Sequence, residues 1–141
     1  MSAGRRVLVA TEGERFPLTA LEHGGDLAGS AGALVLAAVL VVPHAQPLEA
    51  SLDRSVASAC EMLEGAERAM GGTAGSFDTR LVRARSFAEG VLETLAAEPF
   101  DLVLIEKARG APRNGAAGQI QALFEKAGAT VMLVRPAPGP A

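Results

Sequence analysis

Four stretches of this chain are apolar without alternation: Val7 to Ala10, Leu34 to Val42, Leu102 to Ile105 and Val131 to Val134. A strand with one face in water alternates apolar and polar residues, whereas an unbroken run marks a strand covered on both faces. Between these runs lie segments whose apolar residues recur every three or four positions, the period of a helix with one buried stripe. Covered strands alternating with helices admit one class of solution, a parallel sheet with helices above and below. A fifth strand, Phe77 to Arg85, is interrupted by Arg80, Arg83 and Arg85. That charge places it at an edge of the sheet, where it blocks pairing with stray chains.

Pro17 stands at the first position of a helix reaching about Ser30, with Leu18, Leu21, Gly25 and Ala28 on one stripe. Gly24, Gly25 and Gly29 weaken this helix by up to about 1 kcal/mol each. Close approach to the sheet would account for them. A longer helix runs from about Pro47 to Met70 on Leu48, Leu52, Val56, Ala59, Leu63, Ala66 and Met70, and Gly71-Gly72 stops it. Phe87, Val91, Leu92 and Leu95 mark a third, closed before Pro99; Ile120, Leu123, Phe124 and Ala127 mark the last, closed by Gly128. The reading is α/β: a single domain over residues 1–135, doubly wound, with a mostly parallel five-stranded sheet of order 3-2-1-4-5 and helices on both faces. Residues 136–141 form a Pro-rich tail with no reason to fold, hence disordered.

The 141 residues suffice for one core without a disulfide or metal staple. With 13 basic against 16 acidic side chains, the formal charge is −3. No nucleic-acid partner is expected, because phosphate binding needs a basic excess and base stacking needs aromatics. Cys60 is the one cysteine, which points to a reducing compartment. The start of the chain is too short and polar for a signal peptide, and the apolar run Ala33 to Val42 is about half of a bilayer span. A cytoplasmic protein with no membrane partner is expected.

In such sheets the ligand crevice lies beyond the carboxyl ends of the strands, where the winding reverses between strands one and four. Its expected lining is Ala10 to Gly13, Val41 to Pro43 and the loop Glu106 to Gly118. Gly110 and Gly115 imitate the start of a phosphate loop, but Ala116 and Ala117 stand where Lys and Ser or Thr should follow. That reading fails. His23 and His44 read as locally bonded or solvated imidazoles, Cys60 as a buried inert thiol, and Ser76 lies in no nucleophile elbow. Glu12 and Glu106, on opposite lips of the crevice, could act as acid and base or hold a divalent cation. The plainer alternative is two solvated loop carboxylates, with Lys107, Arg109 and Arg113 close enough in sequence to neutralise Glu106.

The order of elements, the Thr11-Glu12 pair closing the first strand, the long second helix and Asp101-Leu102-Val103-Leu104-Ile105 before a Gly- and Arg-containing loop resemble universal stress proteins, up to about Arg135. The resemblance implies a Rossmann-like fold of the adenine-nucleotide alpha-hydrolase type. It also implies a loop of pattern Gly, two residues, Gly, nine residues, Gly and Ser or Thr that wraps the phosphates of ATP. Here the first motif glycine falls on Glu106, the second on Arg109 or Gly110, and the final pair on Ala117-Gly118. The family's nucleotide-holding Asp corresponds to Glu12, and Val41 to the apolar residue at the adenine edge; Ala10 completes the pocket positions. An acid in place of a glycine would set like charges together, at about 4 kcal/mol for 4 Å and a dielectric near 20. Losing the serine hydroxyl removes about 1 kcal/mol more.

The expectation is a degenerate ATP-binding motif: a non-catalytic, dimeric regulatory or interaction domain of a stress response, without cofactor, that does not bind ATP in the family's manner. The alternative is a nucleotide- or anion-binding module for ATP or AMP with an atypical loop, including a weak ATPase. In the family the fifth strand pairs across a two-fold axis. Val131, Met132, Leu133 and Val134 form an apolar terminal strand that fits a homodimer, beside any other protein partner.

Overall fold

The unbroken apolar runs become the middle of a sheet. The computed structural model describes residues 4–47, 51–106 and 116–135. Along the chain come β1 (Arg6–Glu12), α1 (Leu18–Ala28), β2 (Ala33–Val41), α2 (Asp53–Met70), β3 (Ser76–Ala84), α3 (Phe87–Ala97), β4 (Leu102–Glu106), α4 (Ala116–Lys126) and β5 (Thr130–Val134). The five strands pair in parallel in the order β3-β2-β1-β4-β5, as the sequence implies. The expected tail over 136–141, the loop 107–115 and the expected early turns of the second helix at 48–50 lie outside the described residues.

Each central strand feeds two cores because alternate side chains leave opposite faces. Val7 and Val9 of β1 join Leu34, Leu36 and Leu104 under α1 and α2. Leu8 and Ala10 join Val35, Val39, Val103 and Ile105 under α3 and α4. Glycines set the spacing of these layers. A Cβ on Gly24 of α1 would stand 2.9 Å from Leu34 Cδ1 and 3.1 Å from Val9 Cγ2. One on Gly90 of α3 would stand 2.6 Å from Val39 Cγ1. Gly24 and Gly90 are therefore what lets α1 and α3 reach the sheet, whereas Gly25 faces Thr73 and Gly29 meets nothing.

Two boundaries differ from the sequence expectation. β1 runs past the apolar stretch Val7 to Ala10 to include Thr11 and Glu12, with Glu12 in register with Val39. Thr11 is buried, and its hydroxyl donates to the Arg15 carbonyl at 2.8 Å, so a polar residue can close the strand. α2 begins at Asp53, not Pro47; the Ser51 hydroxyl donates to the Asp53 carboxylate there. Cys60 is half-buried rather than buried. Among the described residues no helix is long and apolar enough to cross a membrane.

The amino-terminal end of the sheet is tied by charge. Glu98, just past α3, receives Arg80 of β3 in two bonds, Nε at 3.1 Å and Nη2 at 3.0 Å. Arg6 of β1 reaches the same carboxylate at 3.3 Å, and its guanidinium lies 5.2 Å from the Phe100 ring centre. Arg80 thus answers a structural need as well as guarding an edge. The Arg80 hydrogen bond, helped by the charges of Arg80 and Arg6, outweighs desolvation and holds the Glu98 carboxyl below its ordinary pKa. A carboxylate whose folded pKa lies below its unfolded one contributes fully above the ordinary carboxylate range and loses that contribution as pH falls through the folded value. Glu98→Gln should therefore cost up to about 1 kcal/mol at neutral pH, since the cluster is partly solvated. Urea titrations at several pH values should find the deficit vanishing below the ordinary carboxylate range.

Candidate functional site

The turn from β1 into α1 is fixed by short contacts. Gly13 takes φ +65°, which a side chain disfavours, and its N–H donates to the Val39 carbonyl at 2.8 Å. With the Thr11 bond to Arg15, this leaves Glu12 and Glu14 exposed on the rim. The next step is unusual in its partner. Pro17 at the start of α1 offers no side chain to cap the helix, so the first-turn N–H groups need an outside acceptor.

Glu106 supplies it. From the end of β4 its Oε1 accepts the Ala20 N–H at 2.9 Å, and its Oε2 lies 3.6 Å from Arg15 Nη2. The side chain is 7% exposed. A carboxylate at a helix amino terminus is favourable in itself, and the guanidinium beside it offsets the remaining charge. The acid at the first motif position is therefore bound into the scaffold, not aimed as a bare charge at a phosphate.

A cleft of about 380 Å³ opens at the carboxyl ends of β1 and β2, below the start of α2. One wall is Glu12, Gly13 and Glu14, and the floor is Leu40 and Val41. The other wall is Arg54, Ser55 and Ser58 of α2. Arg85 steadies the approach by donating to the Pro43 and Gln46 carbonyls, both at 2.7 Å. The volume lies at the small end of ligand pockets.

Of the residues singled out from sequence, the cleft gathers Glu12 and Val41. Ala10 is buried in the core beneath α3 and α4, and Glu106 lies under α1. Glu12 thus lies on the cleft wall, and Glu106 beneath α1, held by Ala20 and Arg15. Arg109 and Gly110 lie outside the described residues, as do the side chains of Ala117 and Gly118. His23 and His44 are exposed, and Ser76 opens β3 on the surface. No group of three His, Cys, Asp or Glu among the described residues could hold a metal. Sequence reasoning missed Arg15 and the α2 wall. Starting the helix at Pro47 buried Arg54 and Ser55 in its second turn, whereas Ser51 and Asp53 are the kind of residues that open a helix.

Removing the Glu106 carboxylate should loosen α1. Glu106→Ala loses a hydrogen bond to a charged acceptor and should cost about 1.5–3 kcal/mol in chemical denaturation. Glu106→Gln keeps an acceptor for Ala20 and should cost clearly less.

No protein-family model matches the sequence, and no curated protein matches it significantly. Solved structures do match. A universal stress protein from Burkholderia pseudomallei is 21% identical, with TM-score 0.69, over 97% of this chain and 99% of that one. A universal stress protein in complex with cAMP is 18% identical, with TM-score 0.66, over 96% of this chain and 100% of that one. One from Arabidopsis thaliana with AMP bound is 14% identical, with TM-score 0.64, over 94% and 92%. With the 3-2-1-4-5 sheet, these likenesses identify the architecture of this chain as that of the universal stress proteins.

Proposed function

We propose that this chain is a non-catalytic, cytoplasmic regulatory domain that binds an adenine nucleoside monophosphate and works as a homodimer in a stress response. The carrying observation is the cleft over β1 and β2, from which the Glu106 carboxylate has been withdrawn by Ala20 and Arg15. Similar folds hold cAMP, AMP and, in an Archaeoglobus fulgidus protein, dAMP. A triphosphate asks for more. The loop that wraps it in universal stress proteins has a glycine where this chain has Glu106, and a Ser or Thr where it has Gly118.

Calorimetry and thermal denaturation with AMP, cAMP and ATP, with and without magnesium, separate the readings. AMP at 100 times its dissociation constant should stabilise the fold by about 2.7 kcal/mol. ATP should bind at least about tenfold more weakly than AMP, a difference of about 1.4 kcal/mol. ATP bound as tightly as AMP overturns the monophosphate reading. A flat response to all three leaves a ligand-free interaction domain.

The homodimer reading rests on β5. This edge strand exposes Met132 and Leu133, at 38% and 43%. Apolar side chains on an unpaired edge favour joining a second copy. Sedimentation at micromolar concentration should give a dimer, and Leu133→Lys should give a folded monomer. A monomeric parent chain refutes the pairing.

A further inference from the structure

The turn that carries one wall of the cleft is held from three strands at once. Its Gly13 N–H donates to the Val39 carbonyl of β2 at 2.8 Å, and the Thr11 hydroxyl of β1 donates to the Arg15 carbonyl at 2.8 Å. The third hold comes from β4, where Glu106 Oε2 lies 3.6 Å from Arg15 Nη2. Glu12, Gly13 and Glu14, which line the cleft, are the residues between Thr11 and Arg15. The two oxygens of Glu106 have separate work. Oε1 accepts the Ala20 N–H at 2.9 Å and steadies α1, whereas Oε2 faces the guanidinium. The first task needs only an oxygen, but the second needs a charge. The carboxylate is 7% exposed and the Arg15 side chain 39%, so water screens the pair only in part.

We infer that the Glu106–Arg15 pair is a brace that positions the cleft wall, so that a residue at the end of β4 sets the shape of a site over β1 and β2. Neither side chain is among the described residues that line the cleft. Their action runs through the backbone. Arg15, anchored by its side chain, keeps its own carbonyl on Thr11 and so fixes the path of the residues between. As a statement about affinity this rests on the nucleotide reading above; as a statement about the turn it stands apart from it. Charge and positioning make opposite demands here. A pair acting only through its field would let Glu106→Gln tighten an anionic ligand and Arg15→Gln weaken it. A braced wall loosens in either variant.

The test is calorimetry on the full chain with AMP and adenosine, beside amide hydrogen exchange without ligand. Glu106→Gln and Arg15→Gln should each weaken both probes by about threefold, the worth of a partly solvated ion pair. The double variant should bind no more weakly than either single one. In both single variants the Gly13 amide should exchange about threefold faster. The Ala20 amide of Glu106→Gln, still facing an oxygen, should keep its rate. Arg15→Lys restores the cation and should recover most of the loss. Unchanged or tighter AMP binding in Glu106→Gln overturns the inference, and so does an unchanged Gly13 rate. Additive losses in the double variant overturn the pairing. If the parent chain binds neither probe, the nucleotide reading falls, and the Gly13 rates alone decide for or against the brace.

Discussion

The structure depends on keeping water off both faces of β1 and β2. Their side chains are apolar above and below, so helices must cover each face, and a chain that covers both must reverse its winding once. β1 therefore lies in the middle with β2 and β4 beside it, and its carboxyl end becomes the place where connections part. The cleft is a consequence of that parting. Core and candidate site are two results of one demand for coverage.

Charge is used differently at the two ends of the strands. At the amino-terminal end acids and bases neutralise one another, which fixes β1, β3 and the turn after α3 together. At the carboxyl end Glu106 serves α1, and the side chains of Arg54, Glu12 and Glu14 around the cleft have no charged partner among the described residues. A scaffold closed at one end and electrostatically open at the other is a sound basis for recognition, because the open groups are placed by elements that do not depend on them.

The periodicity of the sequence sufficed for the sheet order, since unbroken runs at Val7, Leu34 and Leu102 and charge in the third strand each have one natural place. The site was less legible. Glu106 reads in sequence as an acid where a glycine belongs, and its role appears only once Pro17 is seen to leave α1 without a cap. That contact joins residues 86 apart in the chain, and no local pattern announces it. The wall of α2 was missed for a smaller reason: a helix start displaced from Asp53 to Pro47 hides Arg54 in the helix body. Local signals place strands well, but they are silent on partners brought together by folding.

The two margins of the sheet also differ in their adhesiveness. One bears Asp78, Arg80 and Arg83; the other bears Met132 and Leu133. Along its strand-pairing direction the described sheet thus has one apolar margin and one margin in which charges surround a single exposed leucine, Leu81. A second copy joining at the greasy margin would turn the margins bearing Asp78, Arg80 and Arg83 outward, and charge there opposes growth beyond a single joining event.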